Sequence, residues 1–148
     1  MDEIRTHRRI DRALCGAPEN LEEGSAEVVL HTTEAMAADE HGLVHGGFVF
    51  GAADHAAMLA VNDPNVVLGK AEVRFLAPVR VGDRVVARGR VAGGGREGRP
   101  RVEVEATVDG RPVLSGVLGC AVPERHVLAG APEPVRRERQ RDRAEERR

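Results

Sequence analysis

The sequence has no tryptophan and no tyrosine, and its aromatic residues are Phe48, Phe50 and Phe75 alone. The core must therefore be built mostly from Val, Ala and Leu. Nucleic acid is a poor fit as a partner, because surfaces that bind it by stacking need aromatic platforms and no recognised binding motif accompanies the basic residues. Cysteine is also scarce: Cys15 and Cys120 stand far apart without metal-ligand spacing. A pair this sparse builds no disulfide scaffold, so a reduced, cytoplasmic setting is expected. No run approaches the ~20 apolar residues of a membrane span, and the opening residues MDEIRTHRRIDR are charged without an apolar signal core. A soluble, unexported protein that does not enter a membrane is the expectation.

What is present suits one domain: 148 residues suffice for one core and are too few to suggest two. The net charge of −2 conceals an uneven distribution. Residues 1–69 hold 4 basic and 12 acidic groups, whereas residues 70–101 hold 9 basic and 3 acidic. That basic block is either a solvated face or an anion-binding surface, and a small phosphorylated ligand fits it better than nucleic acid does.

Periodicity divides the chain into short elements. EIRTHRRIDRAL, residues 3–14, puts Ile4, Ile10 and Leu14 on a rough helical stripe that Gly16 and Pro18 would stop. AEVVLHTTEA, 26–35, is β-branched and reads as a first strand. In NVVLGKAEVRFLAP, Ala71, Val73 and Phe75 share one face and Glu72 and Arg74 the other, which predicts a second strand. RVVARGRV predicts a third, and RVEVEATV a fourth, with Val102, Val104, Ala106 and Val108 alternating against charged residues and Thr107. Asp109-Gly110 predicts a tight hairpin into a fifth strand, PVLSGVLGCAV, while GGGREGRP, 93–100, reads as a flexible hairpin loop. RRERQRDRAEERR near the end is too polar to fold alone and predicts a disordered tail or a frayed helix.

One segment does not fit a surface element. From Gly47 to Val61 the residues are apolar around the whole circumference of a helix, except for Asp54 and His55. Such a helix has no face for water and must be covered on nearly all sides. The simplest cover in a small α+β domain is a strongly curved antiparallel sheet wrapped around it. Asp54 is then a carboxylate in an apolar setting, where its ionised form is poorly solvated and its basicity toward a bound water rises. It serves either as a functional base or as a structural carboxylate at a subunit seam. Gly46 and Gly47 let a ligand carbonyl approach the free N–H groups of the helix start, where developing negative charge is favoured. His45 either contacts the ligand or caps the helix. His55 points ~100° away from Asp54 on the helix and reads as a packing or interface residue. His31 and His41 have no constellation around them. No metal site is indicated, since His41 and His45 are interrupted by Gly42 and lack a third ligand.

His45-Gly46-Gly47, Asp54 nine positions after the histidine, Asn62, Phe75-Leu76-x-Pro78 and Gly82-Asp83 together resemble the hotdog-fold thioesterases of the PaaI-like branch. The likeness spans about residues 25–122. It implies a hotdog fold and hydrolysis of an acyl-CoA to the free acid and coenzyme A, without metal or organic cofactor. By position it implies Asp54 as nucleophile or general base, and a Gly46 N–H beside Gly47 as the group that polarises the thioester carbonyl. Residues 1–24 would form an N-terminal helix and linker, 25–124 the hotdog domain and 125–148 a charged tail. The acyl group would lie along the helix near Phe48, Phe50, Met58 and Asn62. The coenzyme A phosphates would find cations among Lys70, Arg74, Arg80, Arg88 and Arg99. Two rival readings stay open: a regulator that binds acyl-CoA without cleaving it, and an acyl-thioester hydratase or dehydratase. Geometry adds a constraint, because eight helical residues put Gly46 and Asp54 ~12 Å apart. One thioester cannot touch both in one chain, so an active site using both joins two subunits of a homodimer or a dimer of dimers.

Overall fold

A computed structural model describes residues 2–130. In chain order the elements are α1 (Arg12–Cys15), β1 (Ala17–Glu22), β2 (Ser25–His31), a 3-10 turn (Glu34–Met36), α2 (Gly46–Val61), β3 (Val67–Phe75), β4 (Arg84–Arg96), β5 (Arg99–Val108) and β6 (Arg111–Ala121). The strands form one antiparallel sheet in the order β1-β2-β4-β5-β6-β3. Its inner face wraps around α2, the cover that the helix composition calls for and the hotdog architecture that the family resemblance implies.

Alternation on the strands decides which face meets the helix. Along β5, Val102, Val104, Ala106 and Val108 are buried while Arg101, Glu103 and Glu105 are exposed. The helix meets the sheet through small residues: Ala52, Ala53, Ala56 and Ala57 are fully buried. Gly89 on β4 allows the closest approach, since a Cβ there would lie 2.9 Å from the Ala56 carbonyl oxygen. The lack of aromatics is thus matched by a helix that sits close to its sheet.

The N-terminal region departs from the helix expected over residues 3–14. Only Arg12–Cys15 is helical, started by Asp11, whose Oδ1 accepts from the N–H of Ala13 (2.8 Å) and Leu14 (3.3 Å). Residues 2–11 form an irregular strap instead. Of the three residues of the expected stripe, Ile4 packs on the core whereas Leu14 is exposed, so an amphipathic helix would have gained little burial. The Asp2 N–H donates to the Leu21 carbonyl. Asn62, in the left-handed region at φ 52°, holds the strap at two points: its Oδ1 accepts from the Arg5 N–H and its Nδ2 donates to the Glu3 carbonyl, both at 2.8 Å.

Two further expectations are corrected. The sheet has a sixth strand, β1, which sequence reading misses because it carries Pro18; an edge position tolerates the missing N–H. Residues 93–100 are not a loose loop, because β4 continues to Arg96, turns at Glu97-Gly98 and returns as β5 from Arg99. Between Ala92 and Arg96 the register shifts, and the glycines take up the irregularity. The first strand is shorter than expected and ends at His31. Most of the expected charged tail lies outside the described residues. Among the described residues no helix is long and apolar enough to cross a membrane.

β3 is the far edge of the sheet and pairs only with β6 there. Its residues are exposed on both faces, with Val73 half-buried and Phe75 57% exposed. Leu76, which follows, is 50% exposed. An edge strand with no outer neighbour among the described residues, carrying exposed apolar side chains at its end, is an uncommon feature for a monomer surface.

Candidate functional site

The start of α2 is formed by His45, which takes the N-cap position but makes no side-chain cap bond. The first N–H groups of the helix have no intrahelical acceptor. Gly46 and Gly47 lie close to two rings. A Cβ on Gly46 would lie 3.2 Å from the Phe75 ring, and one on Gly47 would lie 3.1 Å from Cδ2 of His45. His45 also meets Phe48 edge-on at 6.2 Å. Beside this helix start runs an apolar groove of about 380 Å³, walled by Leu43, Val49, Phe75, Leu76, Pro78 and Val113.

Asp54 lies two turns further along. Its Oδ1 is buried and has no hydrogen-bond partner among the described residues. Burial holds its carboxyl above the usual carboxylate range. The carboxylate borders a second cleft, of about 390 Å³, with Thr6, His7, Met58, Leu68 and His126 in its wall. This cleft and the groove at the helix start have no wall residue in common. One chain therefore separates Gly46 from Asp54.

A third depression, also about 390 Å³, is basic. Lys70, Arg96, Arg99 and Arg101 surround it, and glycines 69, 94, 95 and 119 keep it open. Lys70 is paired with Glu72 at 3.3 Å, both exposed, which leaves the three arginines as its uncommitted cations among the described residues. The groove and the Asp54 cleft are lined by successive residues at the start of β3, Gly69 and Lys70 for the one and Val67 and Leu68 for the other, and have no wall residue in common. Cys120 lies in the wall of the basic groove; burial, and then the charge of Asp54, push its thiol up to about 11.

The expected binding residues fall into two groups. Met58 is buried beside Asp54, and Lys70 and Arg99 line the basic groove. Phe48 and Phe50 are half-buried against the core. Asn62 spends its amide on the N-terminal strap, Arg88 is paired with Glu27 at 3.0 Å, and Arg74 and Arg80 lie outside the basic groove. His55 is 2% exposed, with Nδ1 3.2 Å from the Cys15 carbonyl, as suits a packing residue. Thr6, His7 and His126 have no signal in the sequence that would join them to Asp54. Arg96 and Arg101 belong to the same basic block as Lys70 and were recoverable from it. A further depression, about 680 Å³, lies on the outer face of the sheet among the Arg88–Glu27 and Arg90–Glu103 pairs, away from both helix sites.

Comparison with known proteins bears on this arrangement. The model of the thioesterase superfamily matches residues 41–108, which hold Gly46, Gly47 and Asp54. The crystal structure of the uncharacterized protein PH1136 from Pyrococcus horikoshii is 52% identical, with a TM-score of 0.82 over 86% of this chain and 97% of that one. A variant of the phenylacetic acid degradation protein PaaI from Thermus thermophilus is 27% identical, with a TM-score of 0.68 over 76% of this chain and 96% of that one. Among curated relatives, part of a methylthioribose-1-phosphate isomerase from Aquifex aeolicus is 58% identical over 90 residues, 61% of this chain and 20% of that protein. The transcription factor FapR of Shouchella clausii is 33% identical over 118 residues, 74% of this chain and 61% of that protein. The chain thus spans between a fifth and three fifths of the length of these two curated relatives.

Proposed function

The chain belongs to the hotdog thioesterase superfamily, on its PaaI-like side, and from that premise we propose that it is an acyl-CoA thioesterase. Asp54 acts as the general base, or as the nucleophile, in hydrolysis of the thioester to a free acid and coenzyme A. The observation that carries this reading is the buried Oδ1 of Asp54, which has no hydrogen-bond partner among the described residues, on a residue that lines a cleft. A carboxylate left without a partner is costly, and raised basicity is what activating a water at neutral pH requires. The cationic groove suits the phosphates of the coenzyme, and the apolar groove at the helix start suits the acyl group or a neighbouring subunit.

The carbonyl oxygen of the thioester would be held by the N–H groups at Gly46 and Gly47 of a second copy, since those of the same chain are ~12 Å from Asp54 along the helix. Pairing through the exposed β3 edge supplies such a copy. No cofactor or metal enters this chemistry. The similarity to FapR transcription factors favours a second reading, in which the domain binds an acyl thioester as a signal and does not turn it over. Thiol release from a panel of acyl-CoAs separates the two readings. The expected result is turnover of at least one member, lowered at least ~100-fold by Asp54→Asn with little change in KM. An Asp54→Asn protein that is folded and retains wild-type turnover removes Asp54 from the role.

A further inference from the structure

The N-terminal strap places a second titratable group in the Asp54 cleft. His7 sits in its wall with Thr6 next to it, together with Val67 and Leu68 of β3. The His7 backbone has φ 53°, a left-handed conformation that is costly for a non-glycine residue. Several contacts fix it there. Asn62 clamps the chain just before it, Thr6 is 5% exposed, and the His7 ring stacks on buried His55 with centroids 6.3 Å apart. The Thr6 hydroxyl lies 2.9 Å from His7 Nδ1, whereas Nε2 has no hydrogen bond among the described residues. Burial lowers the pKa of His7, which favours the neutral ring at neutral pH. If Nδ1–H donates to the threonine oxygen, Nε2 is left as an acceptor, as expected of an imidazole whose tautomer is set by its other nitrogen.

We propose that His7 is a further catalytic residue of the hydrolysis, its Nε2 and the Asp54 carboxylate together holding the attacking water. This rests on the thioesterase reading, in its general-base form. The water donates one hydrogen to Asp54 and the other to Nε2, which aims its lone pair at the carbonyl carbon. As the O–C bond forms, the first proton passes to Asp54. When the tetrahedral adduct collapses, the C–S bond breaks, the thiol sulfur takes that proton from Asp54, and the second proton stays on the product acid. The balance is thioester plus water to acid plus thiol, with His7 unchanged.

The variant His7→Gly tests this without threatening the fold, because glycine adopts φ 53° freely. It is assayed on the acyl-CoA that the wild-type protein hydrolyses, with and without added imidazole, alongside its melting temperature. The expected result is a fall in kcat of roughly 10- to 100-fold, little change in KM, a melting temperature near wild type, and partial recovery of kcat with imidazole. Unchanged kcat, or a fall that imidazole does not relieve, overturns the proposal and returns His7 to packing. If Asp54→Asn is inactive in the same assay while His7→Gly is not impaired, the thioesterase reading stands and the role of His7 alone falls. A wild-type protein that releases no thiol from any thioester overturns both.

Discussion

At the scale of single residues, Asp54 works against the fold that contains it. Burial raises its pKa, so over a range of pH the folded protein keeps a proton that the unfolded chain has released. Stability then falls as the pH rises through that range, which begins at the ordinary carboxylate value of ~3.9. Asp54→Asn should therefore melt at a higher temperature than wild type at pH 8, and the gap should close as the pH is lowered toward ~4. Thermal denaturation across a pH series measures it; equal melting temperatures throughout would mean that the carboxylate is fully partnered in the assembled protein. Activity should move the opposite way, rising with pH above the usual carboxylate range as Asp54 ionises. A group that costs stability where it gains reactivity is what the role proposed for Asp54 calls for. It was legible in the sequence because a single acid in an apolar helix stands out. His7 was not, since the strap that brings it to the cleft is irregular and its placement depends on a side chain, Asn62, far along the chain.

At the scale of elements, long periodic segments were readable and the irregular ones were not. β5 and α2 follow from alternation and from all-round apolarity, each a property of one segment. β1 could not be read, because Pro18 argues against a strand unless the strand is known to be an edge, and edge position is a property of the whole sheet. Gly93, Gly94 and Gly95 read as a loop because composition cannot tell a bulge inside a ladder from a break in it. The basic block was legible, but its grouping of Arg96 and Arg101 with Lys70 and Arg99 in one groove depends on the β4–β5 turn that this misreading left out. The groove carries its own prediction. An acyl-pantetheine lacking the nucleotide should show a higher KM than the corresponding acyl-CoA at low salt, and the gap should narrow as salt screens the charges. Arg99→Glu with Arg101→Glu should raise KM for the acyl-CoA about 10-fold and leave the acyl-pantetheine unaffected. Equal KM values for the two substrates at low ionic strength would make the arginines a solvated face only.

At the scale of the whole molecule, the two halves of the proposed site lie in separate depressions of one chain, and the unprotected β3 edge with exposed Phe75 and Leu76 offers a surface for a second copy. Activity should then need two chains at each site, which mixing two inactive proteins can reveal. One carries Asp54→Ala. The other carries Gly46→Val, whose side chain would obstruct the helix N–H groups; its nearest neighbour is the Phe75 ring, which is exposed enough to give way. In a heterodimer with shared sites, one site has both defects and the other has neither. Co-refolding equal amounts pairs about half of the chains as heterodimers, so roughly a quarter of wild-type sites should return. Gel filtration and circular dichroism on each parent establish that both fold and pair. If heterodimers form and activity stays absent, each site is built within one chain, and the N–H groups at Gly46 then cannot serve the same thioester as Asp54, because ~12 Å of helix lies between them.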